Sequence, residues 1–331
     1  MTVLYLYEHG TKVSCRENRI IIDEDIVLPI ESIEGLVLFG NIQLTGAVIT
    51  TLLEREISVT WLSKTGAFYG RLEQTSNVNI KRQRAQFSLG NNDSFRLGIS
   101  KGIVEAKMNN QRTVLARYNR EDKLSEVEIA IDRIDKGISM IRKVSDLNTL
   151  RGYEGNASRI YFDALSNFVS GGYAFKGRSR RPPKDRFNSM LSFGYTLLLY
   201  DLYTAISAKG LNPYAGFFHE DKEKHPTLAS DLMEEWRPVI VDSLVLSLIR
   251  KNMLDDAEFT TDEKTGGIYI GKGNIKTFIK EYESKLLTSS KYLDYIGYEL
   301  SYRRAFLEQS NQLCKALEYE NPSMYFPVRI R

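Results

Sequence analysis

Gln74-Thr75-Ser76-Asn77-Val78-Asn79-Ile80, followed by Lys81-Arg82-Gln83-Arg84, is where the sequence changes its period. Residues 74–80 are polar and aperiodic and read as a linker. On their N-terminal side β-forming residues dominate. Val3, Tyr5 and Tyr7 alternate with Thr2, Leu4 and Leu6, and Arg19–Ile22, Ile26–Ile30, Gly35–Phe39, Ile57–Leu62 and Ala67–Leu72 continue as strands. One helix interrupts them: Thr45 can cap Gly46–Glu54, where Val48, Ile49, Leu52 and Leu53 recur at helical spacing. From Lys81 the period is helical, with helices expected over Phe95–Ala116, Ser125–Val144, 155–168, 187–208, 227–253, 274–287 and 291–319. Phe259–Gly273 reads as a short β-hairpin between them. The expected fold class is therefore α+β. A small β-rich domain (1–73) and a linker (74–80) precede a larger all-helical domain (81–331) with a short β-hairpin insertion.

Composition bounds the function. At 331 residues, two domains are expected, and 42% hydrophobic with 26% charged residues describes an ordinary globular chain. A net charge of +3 makes no case for a polyanion partner by itself, so that case must rest on where the charge sits. Cys15 and Cys314 lie at opposite ends without metal-ligand spacing, which suits a reducing cytosol. The start, MTVLYLYEHG, lacks the features of a signal peptide, and Pro238–Ile249, interrupted by Asp242 and two serines, is far short of a membrane span. A cytoplasmic protein without a membrane partner is expected.

Three stretches carry chemistry. In Gly216–Pro238 lie two of the three histidines, His219 and His225; the third is His9. Pro226 and Thr227 open a helix there, and Leu228, Leu232 and Trp236 form its apolar face. Asp231, Glu234 and Glu235 fall at i, i+3 and i+4, which expects their carboxylates on one side. With His219 beside them they can hold a divalent metal; the plainer alternative is a solvated acidic face. Next, Gly152 and Gly155 bracket Glu154, with Asn156 able to cap a helix behind it; here the alternative is a charge favoured by the helix dipole. Finally, six of the eleven residues of Lys176–Arg186 are Lys or Arg, and Gly177, Pro182 and Pro183 exclude a regular helix. That concentration reads as a phosphate-contacting loop, with Arg178, Arg180 and Arg181 as bidentate forks beside Lys184 and Arg186, although a charge run also suits a solvated face. Arg329 and Arg331 add a smaller basic patch.

These motifs occur together. Gly152–Ala157, Arg181–Asp185, Asn188–Tyr195, Gly210–His219 and Leu228–Pro238 strongly resemble the CRISPR-associated integrase, the larger of the two universal spacer-acquisition proteins. Leu28–Ile33, Leu38–Gly40, Gly66–Leu72 and Tyr325-Phe326-Pro327 extend the similarity over nearly the whole chain. Some relatives differ around Phe218 and Ser189, at positions that are not ligands. The resemblance implies an N-terminal domain that pairs into a homodimer and a helical catalytic domain. It also implies double-stranded DNA and a small second adaptation protein as partners, and insertion of short DNA pieces into the CRISPR array. Carried over by motif, the metal ligands are Glu154, His219 and Glu234, with Asp231 as an auxiliary acid and Mn2+ or Mg2+ as the ion. Two other functions fit the same residues: a plain metal-dependent endonuclease, and a non-catalytic DNA-binding scaffold.

Overall fold

The computed structural model describes residues 2–291, 293 and 295–330. The chain divides into two compact units, Met1–Asn77 and Val78–Arg331.

The first unit contains β1 (Thr2–Leu6), β2 (Lys12–Arg16), β3 (Arg19–Ile22), β4 (Ile26–Pro29), β5 (Ile33–Phe39), β6 (Gln43–Leu44), α1 (Gly46–Glu54), β7 (Ser58–Leu62) and β8 (Phe68–Leu72). They form two four-stranded sheets, ordered β1-β5-β7-β8 and β4-β3-β2-β6. β5 and β7 are parallel, so the chain must cross over between them, and α1 makes that crossover. Thr45 caps it by accepting the Val48 N–H at 3.4 Å. Leu6, Leu36, Leu38 and Val59 of one sheet and Val13 and Ile20 of the other bury together with Val48 and Leu52 of α1. β2 is an element that the period-two reading passed over. It pairs antiparallel with β3 through a two-residue turn, Glu17-Asn18, with both residues at positive φ (48° and 61°). Such a turn normally advertises itself with glycine, and here it has none.

The second unit contains α2 (Ile80–Gly90), α3 (Asp93–Asp122), α4 (Ser125–Ile141), α5 (Leu147–Leu165), α6 (Arg186–Ala208), α7 (Thr227–Met233) and α8 (Ser243–Arg250). Then follow the hairpin β9 (Phe259–Thr261) and β10 (Ile268–Ile270), α9 (Lys272–Leu287), the short pair β11 (Ser289–Ser290) and β12 (Leu300–Ser301), and α10 (Tyr302–Glu318). Three expectations need correction. α5 starts at Leu147, because Asp146 caps it by accepting the Thr149 N–H at 2.9 Å; Glu154 is therefore within the helix rather than at its start. The expected helix over 291–319 begins only at Tyr302, capped by Ser301; residues 292 and 294 lie outside the described residues. The expected helix over 227–253 is three pieces. Pro238 has no N–H to donate, and the backbone widens into a π-helical segment, Arg237–Asp242, closed by Ser243 N–H to Pro238 O. Among the described residues no helix is long and apolar enough to cross a membrane.

Candidate metal centre

Asp231 organises the loop that presents His219. Its carboxylate is buried and accepts three consecutive amides, Phe217 N at 2.6 Å, Phe218 N at 2.9 Å and His219 N at 3.0 Å. A Cβ on Gly216 would stand 2.7 Å from that carboxylate and 2.5 Å from Thr227, so only glycine lets the loop approach so closely. Arg96 donates to the Phe217 carbonyl at 2.7 Å, and Arg151 of α5 donates to the Phe218 carbonyl at 2.8 Å. The loop is thus clamped from two helices.

The same carboxylate lies 2.7 Å from His219 Nδ1. A proton on Nδ1 satisfies this contact and leaves the lone pair on Nε2, which stands 3.8 Å from Glu234 Oε1. Burial alone would lower the His219 pKa, but the hydrogen bond and charge of Asp231, with the field of Glu234, leave it raised. Asp231 therefore orients both the imidazole and the loop that carries it.

Glu234 and Glu154 come together through an unforeseen residue. Lys107 of α3 places its ammonium 2.6 Å from Glu234 Oε2 and in direct contact with Glu154 Oε1. Ser158 adds a hydrogen bond to Glu154 at 2.8 Å, and Arg237 stands 3.4 Å from Glu234 Oε1. Burial would raise the Glu234 pKa, yet Arg237, Lys107 and His219 together bring it down to about 2. Lys107 behaves conversely: burial pulls it down, but the two glutamates leave its pKa raised. Among the described residues no three His, Cys, Asp or Glu side chains stand ready-made around one point. An ammonium occupies the place between the two carboxylates.

Glu235 departs from its expected company. It turns the opposite way from Glu234 and accepts Tyr325 Oη at 2.5 Å and Val328 N at 2.6 Å. Burial pushes its pKa up to about 8 despite these donors. Asn110 of α3 ties this junction together, donating to Glu235 O at 2.7 Å and Val328 O at 2.9 Å. The acidic run is thus buried, not a solvated face; Asp231 and Glu234 flank the His219 ring while Glu235 serves another neighbourhood.

A cavity of about 330 Å³ opens beside Glu154 and Lys107 and is bordered by Arg178, Arg180, Tyr195, Arg237 and Asp242. Asp242 accepts Tyr161 Oη at 2.9 Å and Tyr195 Oη at 2.5 Å, and burial raises its pKa to about 6. The basic loop does not offer five equivalent cations to this cavity. Arg178 turns inward to Asn188 Oδ1 (2.7 Å) and the Tyr195 ring (5.2 Å). Lys184 donates to Thr265 O of the β9–β10 turn at 2.8 Å, and Arg186 pairs with Asp256 at 2.8 Å. Arg180 and Arg181 are exposed. His225 is apart from the centre, 2.9 Å from Ser230 Oγ, and Arg329 pairs with Glu105 at 3.3 Å. Arg331 lies outside the described residues.

Solved structures share this fold. A CAS1 protein from Thermotoga maritima aligns with a TM-score of 0.81 at 24% identity, covering 96% of this chain and 97% of that one. A casposase bound to integration product aligns with a TM-score of 0.85 at 24% identity, covering 97% and 92%. The architecture is therefore that of the CAS1 and casposase folds. The family model described as CRISPR associated protein Cas1 matches residues 4–284. Curated relatives named CRISPR-associated endonuclease Cas1 include one from Mycobacterium tuberculosis, 31% identical over 334 residues, covering 100% of this chain and 98% of the relative. Another, from Thermus thermophilus, is 33% identical over 325 residues, covering 98% and 93%. The chain belongs to the CRISPR-associated Cas1 family.

Proposed function

We propose that this protein is a metal-dependent DNA integrase and endonuclease of CRISPR adaptation. It inserts short DNA fragments into the CRISPR array by attack of a DNA 3′-hydroxyl on a target phosphodiester. One observation carries the reading: Glu154 and Glu234 converge on a single buried cation, Lys107, with the free ring nitrogen of His219 beside them. Two carboxylates and an imidazole suit a hard to borderline divalent ion, Mn2+ or Mg2+, and a positive charge is already accommodated there. Glu154, Glu234 and His219 Nε2 would hold the ion. A divalent ion supplies Lewis acidity toward the scissile phosphate and lowers the pKa of the attacking hydroxyl.

The protein's own groups do the rest. Asp231 fixes the His219 tautomer and ring orientation. Arg237 stands 3.4 Å from Glu234 Oε1 and stacks over Tyr195 at 4.7 Å. Lys107 holds the two carboxylates together and would have to yield its place between them to a divalent ion. Exposed Arg180 and Arg181 contact the DNA backbone, while the β9–β10 hairpin braces their loop through Lys184 and through Ile268 N to Pro183 O at 2.9 Å. Double-stranded DNA and a small second CRISPR adaptation protein are the partners, in a prokaryotic cytoplasm. The strand-rich unit pairs two copies into a homodimer, and the helical unit carries catalysis. Light scattering checks the pairing: the full chain runs as a dimer, a chain beginning at Lys81 as a monomer.

The test of the reaction is strand transfer with the partner protein present. A donor ending in a 3′-hydroxyl gives branched product, and one ending in 3′-hydrogen gives none although it binds equally well. Nicking alone from both donors would make the protein a plain endonuclease, and no metal-dependent chemistry at all would leave a DNA-binding scaffold.

A further inference from the structure

The turn that carries Glu234 is not held by a regular helical ladder. Its amides reach back only three residues, Glu234 N to Asp231 O at 3.1 Å and Trp236 N to Met233 O at 2.9 Å. Side chains make up the difference. Gln309 of α10 donates to Leu232 O at 3.1 Å, and Asn110 of α3 donates to Glu235 O at 2.7 Å. Both are fully buried, as is Glu235 itself. A further clamp on the turn comes from Tyr325–Ile330.

That segment is bound as an extended peptide ligand would be. Tyr325, Val328 and Ile330 are buried, while Phe326 and Arg329 are exposed. Among the described residues the main-chain groups of Val328 and Ile330 bond to side chains alone. Val328 N donates to Glu235 Oε2 at 2.6 Å, and Val328 O accepts Asn110 Nδ2 at 2.9 Å. Ile330 N donates to Asn110 Oδ1 at 2.9 Å, and Ile330 O accepts Thr113 Oγ1 at 3.4 Å. No strand or helix ladder holds this segment; the side chains of Glu235, Asn110 and Thr113 do.

Glu235 is where segment and centre meet. Glu234 gives its carboxylate to the candidate centre, and the next residue gives its own to Tyr325 Oη at 2.5 Å and to Val328 N. We propose that Tyr325–Ile330 is a positioning strap for the metal centre, acting on Glu234 through Glu235, so that docking of the segment and binding of a divalent ion strengthen each other. This rests on the metal-centre reading given above, and it names residues that are not themselves ligands. Without the segment, Glu235 loses two donors and stands buried and unpaired, a larger penalty for a charged group than for a neutral one. The turn relieves that penalty by moving its carboxylate toward water, and Glu234 moves with it. The effect runs both ways, because coupling between two sites is reciprocal.

Mn2+ uptake followed by electron paramagnetic resonance, and hydrogen exchange of the peptide spanning 325–330, test this on the full chain at one fixed pH. Saturating Mn2+ should slow exchange at Val328 and Ile330 about fivefold or more, the lower end of ordinary coupling between sites. Glu154→Ala removes a ligand, and in that variant the same Mn2+ should leave the exchange unslowed. Tyr325→Phe deletes one donor to Glu235 and keeps the ring, and its Mn2+ affinity should fall about tenfold. Glu235→Gln should weaken Mn2+ binding too, and adding Tyr325→Phe to it should cost little more, since both act through one contact. A purely structural role for the segment would lower the melting temperature of Tyr325→Phe in EDTA and leave its Mn2+ affinity at the wild-type value. That result, full additivity of the two substitutions, or Mn2+ uptake without slower exchange at Val328 and Ile330 overturns the strap and leaves the metal centre standing. No Mn2+ uptake by the wild type overturns the metal centre, and the strap with it.

Discussion

Two cavities differ in how their charge is closed. At the candidate centre Lys107 lies between Glu154 and Glu234, and Arg237 supports Glu234 from another side. Every charge has an opposite at hand. In a second cavity, of about 460 Å³, Lys285 donates instead to a hydroxyl, Ser243 Oγ at 2.8 Å. A balanced cluster can exchange one cation for another at little electrostatic cost, whereas a lysine held by a neutral hydroxyl has no charge to exchange against. The same α3 serves both, with Lys107 at one and Arg117 at the other.

The largest effect should come from breaking the ligand set. Replacing Glu154, His219 or Glu234 by Ala should cut metal-dependent joining and cleavage by about a thousandfold or more, corresponding to several kcal/mol of lost Lewis-acid stabilisation. DNA affinity and circular dichroism should stay near wild type. Wild-type rates for His219→Ala at limiting Mn2+ would remove that residue from the set.

Lys107→Met tests whether the ammonium stands in for the ion. It should destabilise the protein in EDTA by about 3 kcal/mol, as expected when one partner of a buried ion pair is removed. Added Mn2+ should restore most of that loss, with tighter metal binding than in the wild type. An equal fall in melting temperature with and without metal would reduce Lys107 to structural support.

Asp231→Asn keeps the size of the side chain but removes its charge from the His219 ring and from the three amides it accepts. Metal affinity measured by titration should fall about 10–100-fold, the range for a group that orients a ligand. Full affinity in this variant would mean that the loop holds His219 by its backbone alone.

The smallest expected change concerns the rim. Arg180→Glu with Arg181→Glu should weaken binding to all duplex sequences about equally and reduce the log–log salt slope by roughly 0.9 per lost phosphate contact. An unchanged slope would return the loop to ordinary solvated surface. Arg178→Gln should instead act on stability, because that side chain is committed to Asn188 and Tyr195.

Much of this could be read before any coordinates. The break in period near residue 80 separates strands from helices, and the stretch 216–238 puts His219 forward with Asp231, Glu234 and Glu235, the choice of His219 and Glu234 among them being implied only by the family resemblance. Lys107 had a faint signal that went unused: it sits on a buried stripe of α3, between Val104 and Val114, where a lysine needs partners. Those partners are 47 and 127 residues away, and local spacing says nothing about them. Helical periodicity also treats Glu234 and Glu235 as companions. The turn after Met233 and the widening at Pro238 send them to different neighbours, a tertiary effect that a helical wheel does not contain.

The pairing of Glu235 with Tyr325 and Val328 has a consequence in time. On a growing chain, the turn that follows α7 must wait for residues made some ninety positions later before its buried carboxylate finds its donors. At ribosomal speeds of about 5–20 residues per second, that interval is several seconds or more. Until then the junction beside Glu234 is open, so the candidate centre sets late. Pulse proteolysis of nascent chains stalled before Tyr325 should find cleavage around residues 234–238, and chains released past Ile330 should resist it. A candidate centre that closes only once Tyr325 and Val328 have been made carries a delay between its own synthesis and its completed geometry.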